Sequence, residues 1–324
     1  MQLRGVICAF AGSVMFGLGA VLVKSLSASF DSALIAVMAL TLSALLLVGS
    51  MAFTKASLLQ TARKLTRQDW LNLFLYAFPG TSLPLLFIIA GFALSSALEG
   101  GLLLQLGGLF GLLFSVLLLG ERIQPRQRVG IILLALSGVL VVVAGSGGSG
   151  SSILGDLLIV LGSLGSGFST VPAKRLSGRI DPFPLTALRL ILSAVTIIPL
   201  AALQFWLTGN GSLLWKPTPG NLAVLLLYSI TSFSLAYLLV QIGFSLLKAW
   251  HMAAFGQTIP LFSSLFAILL LHDQLSLFQG IGGLVAIAGG MIISLNQQAA
   301  PLPAPKVLVA VQAGREEEQA PFPD

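Results

Sequence analysis

The sequence predicts an all-α integral membrane protein with ten transmembrane helices, arranged as two inverted five-helix repeats with both termini in the cytoplasm. Three observations carry this prediction. The 324 residues are 56% hydrophobic and only 9% charged, whereas soluble domains carry about 25% charged residues. Many apolar stretches are long enough to cross a bilayer. The second half of the chain repeats the pattern of the first.

The apolar stretches define the predicted spans. Crossing about 30 Å of hydrocarbon takes about 20 apolar residues in a helix, and no stretch shows the alternation of a transmembrane β-strand. A cleaved signal peptide is the weaker interpretation of the N-terminus, because the first stretch runs on to Val23 and others follow it. The predicted spans are residues 4–24, 32–53, 70–92, 97–119, 128–145, 154–174, 183–207, 220–244, 251–271 and 277–295.

Two segments of different composition complete the predicted domain organisation. Residues 145–152 read GSGGSGSS, which is typical of a flexible linker. The C-terminal segment is spaced by prolines and then turns acidic, which predicts a disordered cytoplasmic tail. The expected domains are a first repeat over 4–145, a linker over 146–153, a second repeat over 154–296 and a tail over 297–324.

Basic residues fall unevenly on the two sides that these spans define. With the N-terminus inside, only Lys24 and Lys216 of the 17 lysines and arginines lie in outside segments. Since positive charge collects on the cytoplasmic side of membrane proteins, both termini are expected inside, in a protein of the bacterial inner (plasma) membrane. The net charge of +6 follows from this topology, and no nucleic-acid partner is predicted.

The second half of the chain aligns with the first at two nearby shifts. A shift of 152 residues places Gln105 on Gln257 and Tyr76 on Tyr228, and a shift of 150 places Lys24 on Lys174. Each half has five spans, an odd number, so the halves must cross the membrane in opposite senses. Inverted repeats of this kind are common in secondary transporters.

The turn after the fourth span illustrates the inversion and carries a family resemblance. LLLGERIQPRQRVG, 117–130, recurs as LLLHDQLSLFQGIG, 269–282, with its arginines lost on the opposite side. Residues 93–143 and 245–295 resemble the EamA domain of the drug/metabolite transporter superfamily, as do the Gly-to-Lys segments 17–24 and 167–174 and Arg189 in the seventh span. Pro260 stands where that family usually has a mid-helix proline, whereas the first half has Gly108 there. The resemblance implies a ten-helix carrier, often an exporter of amino acids or other small metabolites.

Polar side chains inside the spans are the candidates for substrate binding, because burying them in lipid costs a few kcal/mol each. Gln105 and Gln257 lie about 12 Å into their spans at 1.5 Å per residue, near the midplane. An amide there suits a zwitterionic or polar solute, or alternatively a bond to a neighbouring helix worth about 1 kcal/mol. The other candidates are Tyr76, Tyr228, Tyr237, Gln241 and Arg189.

Each of these candidates has a structural alternative. Tyr76 and Tyr228 also suit an interfacial aromatic belt. Tyr237 and Gln241 are four residues apart, hence on one helical face, and also suit helix packing. Arg189 either snorkels to the cytoplasmic edge or points into a polar cavity and attracts an anionic group.

Charged residues at span ends are candidates for gating or coupling. Lys24 and Lys174 end their spans on opposite faces, where they either steer substrate or simply snorkel beside a helix C-terminus. Glu99 opens the fourth span and is the only acidic residue expected near the lumen. It is a candidate for proton coupling, which needs a carboxylate that titrates at working pH, or it is a solvated residue at a helix N-terminus.

Prolines and glycines predict breaks in the spans. A proline removes a backbone donor and bends a helix, which lipid tolerates only beside a cavity or packed protein. The glycines of 280–290 allow close packing of the last span, either within the chain or in a possible homodimer. The predicted breaks are Pro79, Gly80, Gly107, Gly108, Pro172 and Pro260.

The leading functional hypothesis is a secondary transporter of a small polar or amphipathic metabolite, amino-acid-like or drug-like. A membrane-embedded lipid-modifying enzyme is the alternative, although His272-Asp273 is the one His–Asp pair on offer. A receptor gives no reason for the inversion, and no Walker-type loop supports an ATP-driven pump. One cysteine, Cys8, and two histidines exclude a disulfide framework and argue against a metal site, so no cofactor is predicted.

Overall fold

The computed structural model describes residues 2–52, 57–120, 125–145, 152–177, 179–208, 214–247, 252, 255–256, 258–273 and 277–295. Regular structure in these ranges is helical, and β contacts are confined to two isolated bridges. Three apolar helices, Arg128–Ser137, Ile259–Leu271 and Gly280–Gly289, are shorter than a typical span. Seven are long and apolar enough to cross a membrane: Leu3–Ser27, Ser32–Met51, Arg67–Leu94, Ala97–Leu119, Ile153–Leu176, Pro182–Trp206 and Pro219–Leu246. The prediction of an all-helical membrane protein is therefore confirmed.

Eight helices lie in the described part of the first half. They are α1 (Gln2–Ser27), α2 (Ser32–Met51), α3 (Leu58–Lys64), α4 (Arg67–Ala77), α5 (Leu83–Leu94), α6 (Ala97–Leu104), α7 (Leu106–Leu119) and α8 (Pro125–Gly145). The third span begins before the predicted residue 70 because Thr66 and Asp69 form a capping box. The Thr66 hydroxyl accepts from the Asp69 amide at 3.2 Å, and the Asp69 carboxylate accepts from the Thr66 amide at 3.1 Å.

The structure describes seven named helices in the second half, within the residue ranges given above. They are α9 (Ile153–Phe168), α10 (Thr170–Leu176), α11 (Pro182–Thr208), α12 (Pro219–Tyr228), α13 (Ala236–Leu246), α14 (Ile259–Phe266) and α15 (Leu277–Leu295). α12 begins at Pro219, a residue that suits the first helical position, and the Thr218 hydroxyl accepts from the Asn221 amide at 3.1 Å. Residues 146–151 of the predicted linker and the predicted tail lie outside the described residues.

Two spans of the first half are interrupted. A π-helical turn, Phe78–Ser82, joins α4 to α5 and contains Pro79 and Gly80. Proline has no amide hydrogen for the ordinary helical bond, so the turn widens there. The fourth span divides into α6 and α7 at Gln105, two residues before Gly107 and Gly108.

In the second half, helices are interrupted near the predicted breaks and also at two places that were not predicted. α9 gives way to α10 at Ser169, three residues before Pro172, because Pro172 cannot donate to the carbonyl of Phe168. Pro260 lies in the first turn of α14. Two further π-helical turns, Ser229–Leu235 and Ala267–Leu271, contain neither proline nor glycine, so the sequence analysis gave no indication of them.

The helices of the two halves interleave. α1 packs against α13 and α14, α5 against α9, α2 against α11, and α8 against α15. α1 and α9 open the first spans of their halves, while α5 and α13 close the third spans. Exchanging the halves therefore converts the α1–α13 contact into the α9–α5 contact, and leaves the α2–α11 and α8–α15 pairs unchanged.

Glycines allow two of these pairs to approach closely. A Cβ atom on Gly91 of α5 would lie 2.7 Å from the carbonyl oxygen of Gly155 on α9. A Cβ on Gly289 of α15 would lie 2.8 Å from the carbonyl oxygen of Gly130 on α8. Small residues permit such backbone contact in membrane proteins, and at Gly289 the close contact is made within one chain.

Candidate functional site

A cavity of about 420 Å³ lies between helices of both halves. Its volume falls in the range of small-molecule sites, roughly 300–1,000 Å³. Most of its wall is apolar, with aromatic faces from Phe16, Phe92 and Phe233. A small number of polar side chains reaches this apolar space, and these side chains decide what it can bind.

Arg189 of α11 is the central polar group of the cavity. Its guanidinium carbon lies 3.9 Å from the ring centre of Tyr76 and 4.0 Å from that of Tyr237. Its Nε donates to the Thr81 hydroxyl at 2.9 Å, and its Nη1 donates to the Tyr76 hydroxyl at 2.8 Å. The side chain is 8% exposed, so Arg189 lies inside the protein and does not snorkel.

The π-helical turn at Pro79 supports this arrangement. The turn carries Thr81 over the end of α4, where its hydroxyl donates to the carbonyl of Tyr76 at 2.8 Å and accepts from Arg189. Tyr76 in turn donates to Oε1 of Gln241 at 3.3 Å, and Nε2 of Gln241 donates to Ser177 at 3.1 Å. Gln241 is buried and lies outside the cavity lining, so its contacts orient Tyr76.

Gln105 occupies the break between α6 and α7. It lines the cavity and is 6% exposed, yet neither amide atom has a hydrogen-bond partner. A buried polar atom without a partner costs about 1–3 kcal/mol, and in a native protein it calls for an explanation such as a ligand. Gln257, its predicted counterpart, lies outside the described residues.

An aromatic and hydroxyl cluster on α12, α13 and the π-helical turn between them forms another wall. The rings of Tyr228 and Phe233 meet edge to face with their centres 5.2 Å apart. Phe233 meets Tyr237 in the same way, with ring centres 5.5 Å apart. Tyr228 and Tyr237 both line the cavity. The hydroxyl of Ser232, beside them, is buried without a hydrogen-bond partner, and Gly19 of α1 leaves room for it.

A second polar cluster, the Lys24 cluster, is formed by Lys24, Ser95, Glu99, Asp156 and Asp273. Lys24 donates to the carbonyls of Phe92 at 3.0 Å and Ser95 at 2.6 Å. The Ser95 hydroxyl lies 2.7 Å from Asp156 and 3.4 Å from Glu99, both fully buried. Asp273 accepts from the Leu98 amide at 3.2 Å and interacts electrostatically with Lys24.

The opposite end of the cavity carries other polar contacts. Lys174 lines the cavity there, and its Nζ lies 3.4 Å from the Ser115 hydroxyl. Farther out, Arg179 forms an ion pair with Asp69 at 2.9 Å. Lys24 and Lys174 are thus engaged near opposite ends of the cavity, although Lys24 itself lies just beyond the lining.

The structure brings five of the seven predicted substrate-binding residues to one cavity: Gln105, Tyr76, Tyr228, Tyr237 and Arg189. It also adds residues that the sequence analysis missed. Thr81 and Ser232 gave no signal because hydroxyls in spans usually bond to their own helix. Asp156 was missed although a carboxylate four residues into an apolar helix is itself unusual. The expectation that Glu99 is the only acidic residue near the lumen is therefore wrong, since Asp156 shares its buried cluster.

The fold and the cavity together define the class of protein. A multi-pass helical membrane protein with a mostly apolar central cavity, crossed by a few fixed polar groups, is built as a membrane transporter. More particularly, the model of the EamA-like transporter family matches residues 3–144 and again residues 153–295. The chain belongs to this family, and these matches indicate a transporter, not an enzyme.

Two relatives support the family assignment. The chain is similar to an uncharacterized transporter of Methanothermobacter thermautotrophicus, with 25% identity over 240 residues, 73% of this chain and 68% of that protein. It is 26% identical to one of Archaeoglobus fulgidus over 234 residues, 71% of this chain and 78% of that protein. A solved crystal structure superposes with a TM-score of 0.66 at 19% identity, covering 91% of this chain and 98% of the other, and so shares the fold.

Proposed function

We propose that the protein is a secondary transporter that exports a small polar or amphipathic metabolite by alternating access of its central cavity. The observation that carries the proposal is the set of fixed or partnerless polar groups, Arg189, Gln105 and Ser232, in an otherwise apolar cavity. Polar groups inside a membrane-spanning segment cost free energy, so packing of the helices alone gives no reason to place them there. Export is the direction that the family resemblance implies.

The proposed architecture has ten spans in two inverted repeats, 4–145 and 154–296, with both termini in the cytoplasm of a bacterial inner membrane. The exchange symmetry of the helix pairs supports it, because inverted repeats produce equivalent contacts on opposite sides of the membrane. Alternating access then consists of opening the outer and inner ends of the cavity in turn.

Opposite orientation of the halves predicts opposite labelling of two repeat-related loops. In a Cys8→Ser background, Lys216→Cys should react with a membrane-impermeant maleimide on intact cells. Gln60→Cys, exposed on α3, should react only after permeabilisation. Labelling of both positions from the same side would contradict the inverted arrangement, and the Cys8→Ser protein without an added cysteine serves as the blank.

Within this mechanism the polar residues have distinct proposed roles. Gln105, Tyr76, Tyr228, Tyr237 and Arg189 contact the substrate, with Gln257 as the repeat-related amide, and Gln241 positions Tyr76. Lys24 and Lys174 act as gates at the two ends. Glu99 is a coupling group beside Asp156.

Flux measurements test the proposed function directly. Proteoliposomes loaded with a metabolite pool should release specific solutes faster than protein-free liposomes, with or without an imposed proton gradient. The absence of any solute movement under both conditions would count against a transporter.

Mutation of His272 tests the enzyme alternative. Asp273 already caps α6 through the Leu98 amide, so we expect His272→Ala to leave flux unchanged.

A further inference from the structure

The lining of the cavity carries the positive charge of Arg189. None of the described residues that line the cavity is Asp or Glu. The buried carboxylates of Glu99 and Asp156 belong to the Lys24 cluster and lie beyond this lining. Charges act more strongly in a poorly solvated cavity than in water, so this lining favours anions and disfavours cations.

Arg189 is fixed in a way that leaves its charge available. Two ring faces and two hydrogen bonds hold the guanidinium plane, and the contacting groups, hydroxyls and rings, are all neutral. Among the described residues, none forms an ion pair with Arg189, and none accepts a hydrogen bond from its Nη2. Cation–π contacts offset only part of the desolvation of a buried cation, and an anionic ligand would offset more.

The neighbouring polar groups suit a small anionic head group. Both amide atoms of Gln105 and the hydroxyl of Ser232 are buried without partners in the same lining. An amide N–H and a hydroxyl can each donate to a carboxylate oxygen. The remaining wall, including Phe16, Ile88 and Phe92, is apolar and suits a hydrocarbon or aromatic body.

We propose that the cavity selects an organic acid: a carboxylate on an apolar body that carries no amino group. A planar guanidinium presents its donors edge-on, which matches the geometry of a carboxylate. The ammonium group of an amino acid would enter the same cationic cavity and find no carboxylate in the described lining to pair with. This proposal rests on the proposed transport function and narrows its substrate class.

Calorimetric titration of the purified protein in detergent tests the selectivity. The probes are 3-phenylpropionate, L-phenylalanine, 3-phenylpropanamide and 2-phenylethylamine, which share a phenyl body and differ in charge. We expect 3-phenylpropionate to bind at least about tenfold more tightly than the other three, because charge-assisted bonds are the stronger ones. Equal or tighter binding of any of the other three, or binding of none of the four, would overturn the proposal.

Variants of Arg189 assign the selectivity to this side chain. Arg189→Gln should abolish the difference between the acid and its amide. Arg189→Lys should keep a preference for the acid at lower affinity, because it keeps the charge and loses the planar fork. Lys216→Gln, on an exposed outer loop, is the matched control. If Arg189→Gln does not fold, the wild-type series and Arg189→Lys still decide the question.

The binding assay separates this proposal from the transport function. Acid-selective binding without solute flux in proteoliposomes would overturn transport and leave the anion site standing. Flux of zwitterionic or cationic solutes, with no preference for the acid in calorimetry, would support transport and overturn the organic-acid proposal.

Discussion

Gln105→Met is expected to stabilise the protein and to lower its transport rate at least about tenfold. The wild-type amide is buried with neither atom bonded, and such an unmet group costs about 1–3 kcal/mol. Methionine has a similar length and fills irregular apolar space without that cost. The lost amide would remove a hydrogen bond to the substrate, which we expect to appear in flux, while the melting temperature rises.

A second glutamine provides the matched control. Gln241 is equally buried, but its amide is bonded to Tyr76 and Ser177. Gln241→Met should therefore lower the melting temperature by leaving the Tyr76 and Ser177 hydroxyls without these partners. If Gln105→Met were destabilising like Gln241→Met, the amide of Gln105 would have an internal structural partner, and its role as a ligand would be contradicted.

Lys24→Met is expected to open the outer end of the cavity. Lys24 donates to two carbonyls at the turn between α5 and α6 and is attracted by Asp273 and Glu99. Removing one partner of a fully buried charge cluster costs about 3–5 kcal/mol, and the cost is smaller here because Lys24 is only half-buried. A shift of about 1.4 kcal/mol already changes a population ratio tenfold.

Cysteine labelling from outside measures this opening. In the Cys8→Ser background, Ser232→Cys reports on the cavity wall, and its rate of reaction with an impermeant maleimide should rise about tenfold in the Lys24→Met variant. Lys216→Met, which removes an exposed lysine from the same side, should leave the rate unchanged. An unchanged rate in Lys24→Met would favour the alternative that Lys24 is a terminal snorkelling residue.

The fold was largely predictable from sequence because lipid imposes a simple rule. Backbone polar groups must be satisfied within each span, so long apolar stretches become helices, as at Leu3–Ser27 and Ser32–Met51. The finer features escaped prediction. The capping box at Thr66 is made by polar residues outside the hydropathy signal. In the π-helical turn Ser229–Leu235, the Ser234 hydroxyl donates to the carbonyl of Ser229, a contact that no composition rule indicates.

The candidate site was only partly predictable, for a related reason. Gln105, Tyr76 and Arg189 stand out in the sequence because their polarity conflicts with their position in a span. Sequence alone does not say which of them are satisfied by neighbours. The hydroxyl of Tyr76 donates to Gln241, 165 residues away in the chain, and Arg189 donates to Tyr76 across 113 residues. Those contacts exist only after the halves have packed.

The interleaved packing has a consequence for biosynthesis. α9 rests on α5, α13 on α1, and α15 on α8, so the early helices keep bare contact surfaces until the later ones arrive. The polypeptide emerging from the ribosome must therefore wait, inserted but unassembled, for nearly its whole length. A chain truncated at the junction of the repeats would present those unfilled surfaces to the quality-control machinery of the cell.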